Sequence, residues 1–261
     1  MDNPIQKRRW WGLRETTTPT AETGLGKIYT KNDNTLYFQD AGGNEHEIGT
    51  VDSHYGEMKM YESTGTQTVG QTNQYYAING EYGVGEVSGF SFVSGSNGSG
   101  NITDVGSLVN INDADHGLLD GDIVNIQCAT ATQSGTSVVT YVDADNFTLS
   151  IPFDNAEACT WQQGDYLLAG SGTAGKYLLD FAITVSSGAA AKNYKFEPVI
   201  NTTHIDSAAF EITTSGTNHQ SSMGSGIVDI AVGDRIWAQF KNETDSQDLN
   251  YEHSNIHVTR L

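Results

Sequence analysis

The 261-residue sequence predicts an all-β protein. Three observations carry that reading. Gly is frequent (29) while Pro is scarce (4), Thr, Ser and Asn separate short apolar runs, and those runs alternate apolar with polar side chains. Such a composition suits strands joined by turns and offers little material for long helices. The length allows two modest domains, or one sandwich that carries an insertion.

Residues 1–23 show neither a strand nor a helix period and are expected to form an extended basic arm. Lys7, Arg8, Arg9 and Arg14 surround Trp10 and Trp11. Adjacent tryptophans among arginines suit an arm anchored in a partner's groove, and capping of the chain's own core is the competing reading. Residues 24–50 read as a β-meander, with Tyr29 and Tyr37 out of phase with Ile28 and Phe38, and the docking module they form is taken to residue 55. A module this small cannot bury a core alone, so it is expected to pack on a partner.

Longer strands begin near residue 56, at 57–61, 74–78 and 89–93. The run SGSNGSG at 94–100 reads as a flexible linker. Residues 101–162 then form a unit of short strands and Asp/Gly turns, the pattern of a small β-barrel. Strands resume at 175–185, 194–200 and 209–212, and after a Gly/Ser-rich loop at 226–230, 235–240 and 254–261.

Several of these segments carry a resemblance. The meander, GKIY through LYF to EHEI, is similar to a hairpin module near the N-termini of phage fibre and head-surface proteins. His116-Gly117-Leu118 with Gly121-Asp122, followed by YVDADNFTL, resembles barrel modules of phage structural proteins. GKYLLDF, YKFEPVIN and VDIAVGDRIWAQFKNETD resemble the second half of a jelly roll of the tumour necrosis factor and complement globular-head type. The resemblance implies one jelly-roll sandwich from residues 56–100 and 163–261, with the barrel of 101–162 inserted in a loop. It further implies a homotrimer on a phage virion, assembled in the host cytoplasm. In that picture the arm binds the major capsid protein or a tail adaptor protein, as in a capsid decoration protein or short head fibre. The alternative is a tail fibre or spike that recognises a host surface glycan. Tyr177, Leu179, Phe181, Trp237 and Phe240 are then sandwich core, trimer interface or both.

The charge narrows the partners. A formal −19 with 13 basic residues disfavours nucleic acid and anionic membrane surfaces, which need clustered cations. No run approaches the ~18 apolar residues of a membrane span, and the polar, basic start leads us to expect no secretory leader.

Reactive constellations are scarce. No Gly-x-Ser-x-Gly elbow, phosphate loop, zinc helix or Cys-x-x-Cys pair occurs, so neither enzymatic activity nor a cofactor is expected. The acidic turns with Asp113, Asp115, Asp120 and Asp122 offer oxygens to Ca²⁺, and plain turn chemistry outweighs that reading. His253 and His257 fall on one strand face, where three copies at a trimer axis would gather around a metal; two surface or interface histidines is the preferred account. Cys128 and Cys159 are either plain buried thiols or, with Cα atoms within ~7 Å, a disulfide.

Overall fold

The computed structural model describes residues 16–33, 35–48, 54–70, 72–78, 82–129 and 131–261. The arm residues Lys7, Arg8, Arg9, Trp10, Trp11 and Arg14 lie outside them. Residues 1–53 and 54–261 form two units.

In the small unit β1 (Lys27–Thr30), β2 (Leu36–Gln39) and β3 (Glu45–Ile48) make an antiparallel meander. Asp33 and Asp40 build its turns, accepting hydrogen bonds from the backbone N–H groups of Thr35 and of Gly42 and Asn44, each at 2.9 Å. One face is covered: Tyr29 and Tyr37 stack there at 5.8 Å, and Gln39 donates to the Pro19 carbonyl at 2.9 Å. The other face is bare, with Ile28, Phe38 and Ile48 exposed.

The large unit opens with β4 (Tyr55–Met60), β5 (Thr66–Gln67), β6 (Tyr76–Ala77), β7 (Gly83–Ser88) and β8 (Phe90–Val93). Six strands of the insertion follow: β9 (Asn97–Val105), β10 (Leu108–Asn112), β11 (Ile123–Cys128), β12 (Gly135–Asp143), β13 (Asn146–Pro152) and β14 (Ala158–Gln163). The sandwich resumes with β15 (Tyr166–Ala169), β16 (Gly175–Ser186), β17 (Ala190–Ile200) and β18 (Thr203–His204). It ends with β19 (Phe210–Ser215), β20 (Gln220–Ile230), β21 (Arg235–Asn242) and β22 (Leu249–Arg260).

Two sheets face each other. One runs β20-β16-β22-β4-β7, with β5 beside β22; the other runs β18-β17-β21-β15-β8, with β19 on β17 and β6 on β21. The long crossovers between sequence neighbours are those of a jelly-roll sandwich. Alternation fills the space between them: Tyr177, Leu179, Phe181, Ile183 and Val185 of β16 point inward against Tyr194, Phe196 and Phe240. A bulge where β22 passes Val185 shifts its phase, so Tyr251 points inward but His253 outward.

The insertion closes as a six-stranded barrel, β10-β13-β12-β11-β14-β9, around Ile111, Phe147, Leu149 and Trp161. Its ends leave the sandwich between two paired strands, because Val93 of β8 lies opposite Tyr166 of β15. The disulfide Cys128–Cys159 joins β11 to β14, with Cα atoms 4.5 Å apart.

Two Gly/Ser-rich runs depart from the sequence reading. Residues 97–100 of the expected linker belong to barrel strand β9, and the expected Gly/Ser loop before residue 226 is largely strand β20. The glycines permit close approach rather than freedom. A Cβ on Gly98 would lie 2.1 Å from Asp113 Oδ2 and 2.7 Å from the Trp161 ring, and one on Gly224 would lie 2.1 Å from the Ala208 carbonyl oxygen.

Gly98→Ala therefore separates strand from linker. The expected outcome is a loss of about 1–3 kcal/mol, the cost of overpacking a filled core, read as a lower midpoint in thermal or urea unfolding. A flexible linker would absorb the methyl group within about 0.5 kcal/mol.

Candidate functional site

The outward face of the β20-β16-β22-β4 sheet holds a groove of about 580 Å³. Lys59, Tyr61, Ala182, Thr184, Met223 and His253 are among its lining. Small side chains on β16 form its floor, while Tyr61 at 75% and Met223 at 65% exposure stand at its sides. Ile227, also 65% exposed, continues the apolar strip along β20. The charge here is largely self-compensated, with Lys59 3.7 Å from Glu57 and Lys176 2.9 Å from Asp229. Tyr61 lies against the His253 ring at 4.9 Å, and His253 Nδ1 accepts the Glu62 N–H at 3.2 Å.

The residues expected at a trimer interface are elsewhere. Tyr177, Leu179, Phe181 and Phe240 are 0% exposed in the chain's own core, and Trp237 is 4% exposed in a cluster with Ile123, Tyr166 and Val199. Their side chains are consumed by the packing of a single chain, so the core reading of these five residues holds and none of them is left open for contact with a second copy. The exposed apolar face of Tyr61, Met223 and Ile227 was not singled out from sequence because, in a two-layer sandwich, one apolar strand has no way to mark which of its faces is covered. Met223 and Ile227 do stand out of phase with Val228 and Ile230, and that double periodicity in β20 was a usable signal.

The acidic turns serve the fold. Asp113 Oδ2 accepts the Trp161 indole N–H at 2.7 Å, and Asp120 Oδ1 accepts the Tyr141 N–H at 3.2 Å. Asp115 adopts a positive φ of 54° and donates its N–H to Asp145 Oδ1 at 3.2 Å. Asp122 forms the joint between barrel and sandwich: its Oδ1 lies 3.1 Å from Arg235 Nη1 and accepts the Tyr166 hydroxyl at 3.2 Å. None of the four gathers into a cation site among the described residues, where the one cluster of ligand atoms is Cys128, Glu157 and Cys159. The two sulfurs of that cluster are bonded to each other and supply no thiolate. His253 and His257 do share the outward face of β22, paired with Thr184 and Asp180.

A second polar grouping, unforeseen from sequence, lies on the outer face of the other sheet. Glu197 is 1% exposed and takes Lys195 on one carboxylate oxygen and His204 Nδ1, at 2.6 Å, on the other. Tyr75 packs edge-on to His204 at 5.1 Å. Burial works against ionisation of Glu197, but hydrogen bonds from Lys195, His204 and Tyr75 outweigh it and hold the carboxyl below its ordinary range. Burial and the Glu197 charge together push the Tyr75 hydroxyl up to about 12.

Among known proteins, no family model matches the chain and no curated protein matches it. Solved structures do. One is an uncharacterized Listeria monocytogenes protein in complex with α-D-glucose, β-D-glucose, magnesium and calcium, at 9% identity and a TM-score of 0.23. Another is the cycloalternan-forming enzyme of Listeria monocytogenes in complex with a pentasaccharide substrate, at 10% identity and a TM-score of 0.22. Each match covers 88% of this chain, which spans only 30% of the other's length. The second is an enzyme, so the expectation that this chain is not an enzyme is withdrawn. At these scores the likeness assigns this chain no activity.

The Glu197 grouping makes stability depend on acid. A depressed carboxyl stabilises the fold above its unfolded value, near 4.5, and that contribution is lost as pH falls through the folded value. Thermal midpoints followed downward from pH 7 should fall below about pH 4.5, and Glu197→Gln should be less stable at pH 7 yet show a shallower acid slope. An unchanged slope would remove Glu197 from the account.

Proposed function

We propose that the chain is a homotrimeric structural protein of a tailed-phage virion, a capsid decoration protein or short head fibre. The basic arm and the meander dock on the major capsid protein or a tail adaptor protein, and the jelly-roll head with its barrel projects from the virion surface. One observation carries the reading: each unit leaves an apolar sheet face bare, Ile28, Phe38 and Ile48 on the small one and Tyr61, Met223 and Ile227 on the large one. Uncovered faces of this kind mark association. The occupant of the larger face is a second copy of the chain. Molecules of charge −19 repel one another, and this groove, with its paired Lys59 and Glu57, is where a like-charged neighbour meets little uncompensated charge. The number three comes from the resemblance of the sequence to tumour necrosis factor and complement heads. The strand order of the two sheets suits that resemblance.

A second reading, a tail tip that recognises a host glycan, is favoured by a different observation: an uncharged, hydrogen-bonding cavity against the barrel wall.

Analytical ultracentrifugation of the full chain should give a trimer that co-sediments with virions, and a monomer at micromolar concentration would sink the assembly. Met223→Glu with Ile227→Asp should yield monomers with little change in melting temperature, since both side chains are 65% exposed. Phe181→Ala should do the opposite, costing about 3–5 kcal/mol of stability through its core position.

A further inference from the structure

At one end of the barrel, three side chains of metal-ligand type come together. Cys128, the last residue of β11, lies directly opposite Cys159 of β14, and Glu157 immediately precedes β14. One ligand atom from each, the two sulfurs and a carboxylate oxygen, all lie within 4.8 Å of one another. Alternation along β11 and β14 sets both cysteines on the inward face, in phase with Ile126 and Trp161. Cys159 is buried, whereas Cys128 and Glu157 are half-buried, which places the group at the edge of the barrel core. In the oxidised chain the two sulfurs bond to each other.

A layer of hydrogen bonds behind the group fixes it in place. Gln133 is 0% exposed, and its Nε2 donates to Glu157 Oε1 at 2.8 Å and to Asn155 Oδ1 at 3.0 Å. Its Oε1 accepts the backbone N–H groups of Asp154 and Asn155 at 2.7 and 3.2 Å. The Glu157 carbonyl accepts the Ile102 N–H at 2.9 Å, and the Cys128 N–H donates to Ser134 Oγ at 2.9 Å. Partners of this kind orient a carboxylate ligand before an ion arrives. The donor set also selects the ion: thiolates favour Zn²⁺, whereas Ca²⁺ and Mg²⁺ take oxygen ligands. With Zn–S near ~2.3 Å and Zn–O at about 2.0–2.2 Å, the ligand atoms of a tetrahedral site stand roughly 3.5–3.8 Å apart. A group spanning 4.8 Å meets that spacing once the sulfurs part.

We propose that the reduced chain binds one Zn²⁺ through Cys128, Cys159 and Glu157, with water in the fourth position. The end of the β11–β14 ladder is then clamped in both redox states, by a disulfide when oxidised and by a metal ion when reduced. A dithiol reductant opens the disulfide by exchange: its two sulfurs bond to each other, and its two protons and two electrons pass to Cys128 and Cys159. Zn²⁺ displaces both thiol protons to solvent and forms two Zn–S bonds. Oxidation reverses the sequence, since joining the sulfurs leaves the ion a single carboxylate. The inference is independent of the virion reading.

The test uses the full chain, reduced with dithiothreitol and freed of it under nitrogen, titrated with Co²⁺ and then with Zn²⁺ beside the oxidised chain. The reduced chain should take up one Co²⁺ with the visible absorption and the sulfur-to-metal charge-transfer band of a tetrahedral thiolate site, and Zn²⁺ should abolish both. The oxidised chain should show neither, which separates this site from loose binding at the 7 histidines and 32 acidic residues. Cys159→Ser should lose the band. Glu157→Gln should keep it but bind Zn²⁺ about tenfold or more weakly, at least the roughly 10–100-fold that loss of an outer-layer partner costs. Zn²⁺ should also raise the melting temperature of the reduced chain and leave that of the oxidised chain unchanged. No band on reduction, the same band in the oxidised chain, or Glu157→Gln binding like the wild type would each overturn the proposal. So would barrel amide signals that vanish on reduction and do not return with Zn²⁺.

Discussion

The antiparallel ladder between β8 and β15 pairs Phe90 through Val93 with Ala169 through Tyr166, across the whole length of the barrel insertion. The rest of the large unit depends on that pairing. It brings the two ends of the insertion to neighbouring positions in one sheet, so the barrel leaves and re-enters without opening the sandwich core. Gln163 N–H donates to the Ser96 carbonyl at 2.7 Å, continuing the pairing outward into the barrel's root. A barrel held this way is an extension of a sheet rather than a bead on a tether.

Docking of the barrel then follows from a few side chains. Ile123 drops from its outer wall onto Trp237, Tyr166 and Val199, and Asp122 meets Arg235 beside that apolar contact. Arg235 also lies 5.3 Å over the Tyr166 ring and donates to the Asp120 carbonyl at 3.2 Å. Removing either charge would leave the other buried and unpaired, a loss of about 3–5 kcal/mol, which makes the joint specific as well as apolar. A separate tie lies beside β5, where Gln127 Nε2 of the barrel wall donates to the Thr68 carbonyl at 2.9 Å.

Much of the fold was legible in sequence because alternation is a local property. The inward phase of β16, from Tyr177 to Val185, is written in the order of residues, and so is the Val232-Gly233-Asp234 turn, where Gly233 takes a φ of 89° and Asp234 Oδ2 accepts the Ala231 N–H at 2.7 Å. The Gly/Ser runs were misread because composition alone does not distinguish a glycine that confers freedom from one that makes room. Gly98 makes room for Trp161, 63 positions away, and nothing near Gly98 in the chain records it. The site was less legible still: Glu197 and His204 converge across β17 and β18, and Asn125 comes to lie beside Gln67 and Thr68, a segment far from it in sequence.

The sequence by itself determined the all-β class, the acidic surface, most strand phases and the presence of an inserted unit, because each follows from composition or from the two-residue period of a strand. Only the tertiary structure decided which apolar residues are core and which are left on a bare face, that Cys128 and Cys159 bond, and that the acidic turns bind protein groups. Those outcomes depend on which strands become neighbours in space. Neighbourhood across a sheet or between layers is set by the packing of the whole chain, and no local pattern encodes it.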